Sequence, residues 1–307
     1  MRALDEARAL YEERGREMIS TLFPDYEGRI AVGLAGHGSQ CFGYDDELSR
    51  DHDFESGFCM WLCDEDDLEI GVKLSRAYRE LLPGGAERRS LMAERTCGVR
   101  RIGDFYRRYT GLPGAPESLR QWLAVPSYAL AEATNGEVWR DALGEFSAVR
   151  ETLMHGMPED VRKKKLAARI ITMAQAGQYN YARCLRHGES GAAMLAMGEF
   201  VSAASEAIFL INRRHMPYYK WCFRALRELA LLADMAEPLE FLLCGENGGE
   251  NDALKAALVE DVCACVLREL RAQGLTGAQG DYLEAHAYAI QRSISDAELR
   301  AMHIMEG

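Results

Sequence analysis

A chain of 307 residues, 48% hydrophobic and 27% charged, carries enough apolar material for one large or two moderate domains; disordered, collagen-like and low-complexity classes are excluded. Its 36 Lys and Arg stand against 48 Asp and Glu, a formal charge of −12, so the average surface repels phosphate backbones and no nucleic-acid partner is expected. Met1 to Phe23 lacks the apolar stretch of a signal peptide, and no run of about 18 apolar residues is evident, so no membrane partner is expected either. Nine cysteines without a CxxC pair read as reduced, mostly buried thiols of a cytoplasmic protein.

In chain order, Leu4 to Phe23 has the spacing of an amphipathic helix, stopped by Pro24 and Asp25. Arg29 to Gly36 is a short apolar run of strand length, followed by a polar loop from His37 to Arg50. A second strand is expected within Asp53 to Leu62. Asp64, Glu65, Asp66 and Asp67 then open a helix that runs to about Leu82, where carboxylates suit the first turn. A third strand near Cys97 to Ile102 and a helix from Asp104 to Tyr109 complete an α/β unit, and the proline- and glycine-rich stretch Thr110 to Pro116 reads as a hinge.

Beyond the hinge the pattern is helical. Phe200, Ala204, Ala207 and Ile211 repeat on one face, as do Leu254, Leu258, Val262 and Cys265; Gly245 to Asn251 is a polar loop. Arg162, Lys163, Lys164 and Lys165, the densest basic run, read as a solvated helix face, with Lys165 the member to consider for a ligand phosphate. The expected fold class is α+β: a small α/β domain with a mixed sheet over residues 1–112, then a larger all-helical domain over 113–307.

The chemistry concentrates in Gly36-His37-Gly38-Ser39 and Asp51-His52-Asp53, between two expected strands. A dinucleotide fingerprint would need glycine where Cys41 stands, and an EF-hand from Asp51 would need glycine and glutamate where Ser56 and Leu62 stand. Gly38 lets a phosphate approach the backbone, and Ser39 adds a hydroxyl and an N–H. Asp51 and Asp53, at i and i+2 on a strand, point to one side and offer hard oxygens of the kind Mg²⁺ takes. His52 points to the opposite strand face, and the role of His37 stays open.

Gly38 and Ser39, eleven residues, then Asp51-His52-Asp53 resemble the signature of the DNA polymerase β-like nucleotidyltransferase superfamily, to which aminoglycoside and lincosamide adenylyltransferases belong. The longer stretch from Gly38 to Phe54 is similar to a bacterial branch of that superfamily in which a helical domain of unknown function follows the catalytic one. Asn135-Gly136-Glu137, Met173 to Arg183 and Asn212 to Trp221 are the further matching segments. The resemblance implies that Gly38 and Ser39 hold the β- and γ-phosphates of an NTP and that Asp51 and Asp53 bind Mg²⁺. It also implies a third carboxylate, for which Glu94, Asp104 and Glu137 are the candidates. It suggests Lys220, Lys165, Arg183 and Tyr179 as nucleotide-binding residues, with Asn180 and Tyr181 beside them, on a helical domain that closes over the nucleotide. The implied activity is transfer of a nucleotidyl group, with ATP as donor, to a hydroxyl of a small-molecule acceptor. Adenylylation of a protein, or nucleotide binding without chemistry, are the alternatives. The chain is expected to be a monomer or a homodimer.

Overall fold

The structure, a computed structural model, describes residues 2–46, 57–82 and 97–307. In chain order the elements are α1 (Ala3–Leu10), a π-helical stretch Tyr11–Gly15, α2 (Arg16–Leu22), β1 (Ala31–Leu34), α3 (Ser39–Phe42), β2 (Cys59–Leu62), α4 (Asp64–Asp66), a π stretch Asp67–Gly71 and α5 (Val72–Leu81). Then follow β3 (Gly98–Arg101), α6 (Ile102–Thr110), α7 (Leu119–Ala124), α8 (Ser127–Thr134), β4 (Glu137–Arg140), α9 (Glu145–His155) and α10 (Glu159–Met173). A π stretch Ala174–Tyr181 leads into α11 (Ala182–Arg186), α12 (Ser190–Ile211), α13 (Tyr219–Leu226), α14 (Ala236–Cys244), α15 (Glu250–Ala272), α16 (Leu283–Arg292) and α17 (Ala297–Ala301). The fold is mixed α+β. It divides into two compact units, Met1–Pro116 with Tyr128–Gly156, and Glu117–Ser127 with Met157–Gly307.

The first unit holds a four-stranded mixed sheet of order β3-β2-β1-β4. β1 pairs antiparallel with β2, Val32 opposite Met60, and β2 pairs parallel with β3 across the helical crossover of α4 and α5. All four residues of β2 are buried, as a strand covered on both faces requires. Met60 and Leu62 pack with Tyr11, Ile19, Phe23, Leu74 and Tyr78 from the helices of one face. Trp61, one residue out of phase, stacks on Phe146 at 3.9 Å and meets Phe105 edge-on at 5.5 Å, on the other. The acidic cluster does open a helix, but two of its carboxylates also hold arginines: Asp66 accepts from Arg29 Nε at 2.8 Å and Asp67 from Arg101 Nε at 2.7 Å.

The sheet overturns one expectation about chain order. β4 arises from residues expected to be helical and pairs antiparallel with β1, placing Glu137 opposite Leu34. Residues 128–156 therefore rejoin the sheet-bearing unit, beyond the hinge where the helical part was expected to begin.

The second unit is helical. Its core is built from α10, the π stretch after it, α12, α14, α15 and α16. Phe200, Ala204, Ala207 and Ile211 are all buried, as their spacing indicates. On α15 the buried stripe is Val259, Val262, Val266 and Leu270; Leu254 is exposed, so the expected row Leu254–Leu258–Val262–Cys265 drifts off the core. α12 is long and apolar enough to cross a bilayer, contrary to the sequence expectation, yet 67% of its most apolar window is buried against its own unit, as in a core helix.

The basic run corrects another expectation. Arg162, Lys164 and Lys165 are buried rather than solvated. Each member of the run donates to a carbonyl at or just beyond the C-terminal end of a different helix: Arg162 to Leu210 O of α12 at 3.2 Å, Lys163 to Ser293 O after α16 at 3.1 Å, Lys164 to His303 O after α17 at 2.7 Å, and Lys165 to Val125 O after α7 at 2.9 Å. Those carbonyls lack intrahelical partners, and the helix dipole adds negative potential there. Burial pulls the ammonium groups of Lys164 and Lys165 below the ordinary lysine range. Removing the Lys164 side chain empties a fully buried position and takes a charged donor from His303 O and Gln291 Oε1, so Lys164→Ala is expected to cost about 2–4 kcal/mol, and Lys163→Ala, more exposed, under about 1 kcal/mol. Urea unfolding of the two variants checks this, and equal losses would contradict it.

Candidate functional site

The chain leaves the sheet at Leu34 and enters the Ala35–Ser39 turn. Gly38 has φ 109° and ψ 155°, a conformation that favours glycine, and the space a Cβ would take is open, the nearest atom being Gln40 Cγ at 3.8 Å. Ser39, half-buried, is the first residue of α3, with Gly38 as its N-cap. Glycine backbone with open space beside it is what close approach of a phosphate needs.

The turn is held from a distant part of the chain. Asn135 Nδ2 donates to Gly36 O and Gly36 N–H donates to Asn135 Oδ1, both at 2.7 Å, so one side-chain amide closes a two-bond clamp on the backbone. Asn135 is placed by Gly136, whose φ of 66° reverses the chain between α8 and β4. A Cβ on Gly136 would stand 1.9 Å from Leu34 O. Arg150 Nη2 donates to Asn135 O at 3.3 Å and to Gly136 O at 3.0 Å, closing off α8, and burial lowers this guanidinium's proton affinity. The His37 N–H donates to the Tyr109 hydroxyl at 3.0 Å, and burial pushes that phenol well up from its ordinary range. Glu132 Oε1 lies 3.0 Å from His37 Nδ1.

The expected site residues fall in different places. Gly38 and Ser39 sit on the clamped turn. Glu137, the first residue of β4, is on the strand next to the one that leads into the turn; its carboxylate accepts from Trp139 Nε1 at 2.9 Å and lies 3.7 Å from Arg8. Asp104 is exposed and paired with Arg107 at 2.7 Å on the same helix. Arg50, Asp51, His52, Asp53 and Glu94 lie outside the described residues. Among the described residues no group of three or more His, Cys, Asp and Glu side chains gathers to hold a metal.

In the helical unit, Lys165 is buried on Val125 O, so its ammonium faces a backbone carbonyl and not a ligand. Lys220 is exposed on α13. The structure brings Arg183 and Tyr179 together, with the guanidinium 5.6 Å from the ring centroid and Nη1 3.2 Å from the hydroxyl, on an exposed face. Tyr181 does not join them; it is fully buried in the core, while Asn180 is exposed.

Asn135, Glu132, Tyr109 and Arg150 are the residues that sequence reasoning did not assign to the site. Asn-Gly is a turn signal, so the reversal at Asn135 was readable, but its partner was not. Replacing Asn135 with Ala removes both clamp bonds. Amide exchange over residues 34–39 is expected to quicken by about tenfold or more, with a global loss of about 1–3 kcal/mol. Unchanged exchange would show that the clamp does not hold the turn.

A family model described as a domain of unknown function, DUF4037, matches residues 122–222, a span that includes Glu132, Asn135, Glu137 and Arg150. No curated protein and no solved structure matches the chain.

Proposed function

We propose that the chain is a cytoplasmic Mg²⁺-dependent nucleotidyltransferase that moves a nucleotidyl group from an NTP, with ATP as donor, to a hydroxyl of a small-molecule acceptor. The observation that carries this reading is the Gly38-Ser39 turn at the C-terminal end of β1: an open glycine backbone, fixed by the Asn135 clamp, with the Glu137 carboxylate starting the neighbouring strand. The donor set fits the ion. Asp51, Asp53 and Glu137 offer only hard carboxylate oxygens, and Glu137 is about half exposed, hence reachable.

Mg²⁺ in such a site supplies positive charge to phosphate oxygens and holds them in line for displacement. The chain's own part is positioning. Gly38 and Ser39 cradle the phosphates through backbone N–H and hydroxyl, the clamp keeps those donors from reorganising, and Trp139 and Arg8 steer the Glu137 carboxylate. Of the basic residues expected to help, Lys220 and Arg183 remain in the proposal as exposed cations; Lys165 does not.

Asp51→Asn and Asp53→Asn are each expected to lower Mg²⁺-dependent pyrophosphate release from ATP by about 100-fold or more while leaving the unfolding midpoint in place. The assay is release of pyrophosphate with a panel of hydroxylated acceptors, aminocyclitols included. Wild-type turnover in either variant would sink the assignment.

A further inference from the structure

The chain contains two Asn-Gly pairs, Asn135-Gly136 and Asn247-Gly248, and the fold treats them in opposite ways. In the first, both polar atoms of the Asn135 amide are bonded to Gly36, so the side chain is held away from its own backbone. The second is exposed, in the loop between α14 and α15, and Gly248 has φ 97° with open space where a Cβ would stand. Asn247 Oδ1 accepts from the Lys255 ammonium at 2.7 Å, and that buried lysine is fixed by a second bond to Gly245 O at 2.8 Å. The Gly248 N–H donates to Asp252 Oδ1 at 2.8 Å. Ring closure of an Asn-Gly pair joins the glycine nitrogen to the asparagine side-chain carbon. It needs a base on that N–H and positive charge on the side-chain oxygen, and the loop supplies both.

We infer that Asn247 is a site of self-modification, converted by its own loop to aspartate and isoaspartate. Gly248 N attacks Asn247 Cγ, and the amide proton passes to the Asp252 carboxylate. Negative charge develops on Oδ1, where the Lys255 ammonium meets it. The tetrahedral centre collapses with cleavage of the Cγ–Nδ2 bond; Nδ2 takes the proton from Asp252 and leaves as ammonia. The product is a succinimide ring, which water opens at either carbonyl. One opening gives aspartate, whose side-chain carboxylate pairs with Lys255. The other gives isoaspartate, which routes the main chain through the former side chain and inserts a methylene between α14 and α15. Either product places a new negative charge in the loop that holds a buried cation. The inference does not depend on the nucleotidyltransferase reading.

The experiment is incubation of the full chain at neutral pH, with peptide mapping by mass spectrometry to follow amide-to-acid conversion at Asn247 and at Asn135. Three samples are compared: the folded wild type, the wild type unfolded in guanidinium chloride, and folded Asp252→Asn. That substitution keeps an oxygen able to accept from the Gly248 N–H but unable to take its proton. Folded wild-type Asn247 is expected to convert about tenfold or more faster than the same residue in the unfolded chain, and folded Asn135 more slowly than in the unfolded chain. Asp252→Asn is expected to slow conversion at Asn247 by about tenfold or more. If folded wild-type Asn247 converts no faster than in the unfolded chain, or if Asp252→Asn converts at the wild-type rate, the inference is overturned. Equal conversion of the two Asn-Gly pairs in the folded chain would overturn it as well.

Discussion

The carbonyl groups at the C-terminal ends of helices organise this molecule. Each helix leaves its last four C=O groups without an intrahelical donor, and the dipole makes that end negative. Here the missing donors are cations, most of them buried. Arg162, Lys163, Lys164 and Lys165 serve four helix ends from one turn of α10; Lys255, fully buried, serves Gly245 O after α14 at 2.8 Å. Arg150 does the same after α8 in the sheet-bearing unit. A protein of charge −12 thus places several of its scarce cations inside, where they meet the partial negative charge of backbone carbonyls, Arg162 pairing with the Glu159 carboxylate as well. Burying an ion is costly, and the depressed proton affinities of Lys164 and Lys165 register that cost; the bonds they make to carbonyls offset part of it.

The same accounting for unpaired backbone explains the candidate site. A turn built on glycines with positive φ is not held by regular secondary structure, so Gly36 takes its donor and its acceptor from one Asn135 amide. Asn135 is in turn locked by Gly136 and Arg150. A rigid turn keeps its N–H groups aimed before a ligand arrives, which is how a backbone stabilises anionic groups without reorganising. The clamp thereby joins the two parts of the chain that carry the functional reading, the Gly38-Ser39 motif and the segment matched by the family of unknown function.

How far the sequence disclosed this depends on the range of the interaction. β1, β2, β3 and the helix opened by Asp64 were legible because a continuous apolar run and an acidic first turn are local signals. β4 was not: Glu137-Val138-Trp139-Arg140 is a polar-apolar-apolar-polar quartet inside helical sequence, without the alternation of a half-buried strand, and its strand identity comes from pairing with β1 about a hundred positions earlier. The basic run was misread because like charges in a row signal solvation, while nothing in the sequence announces that four helix ends converge on one turn. Tyr181 was grouped with Tyr179 on the resemblance; two residues apart on a helix they stand about half a turn apart, and Tyr181 enters the core while Tyr179 is exposed. The Gly38-Ser39 turn was legible, its buttress was not, and Asp51 and Asp53 lie outside the described residues.

The return of residues 128–156 to the sheet also sets an order of assembly. As the chain emerges from the ribosome, β1, β2 and β3 are complete well before β4, and during that interval the outer edge of β1 has no partner. The turn that follows β1 is likewise without Asn135. An exposed edge of an incomplete sheet is a template for unwanted strand pairing. Early in its synthesis this protein is therefore both unable to present its candidate site and most open to misassembly, and a single event, the arrival of Asn135 and β4, ends both conditions.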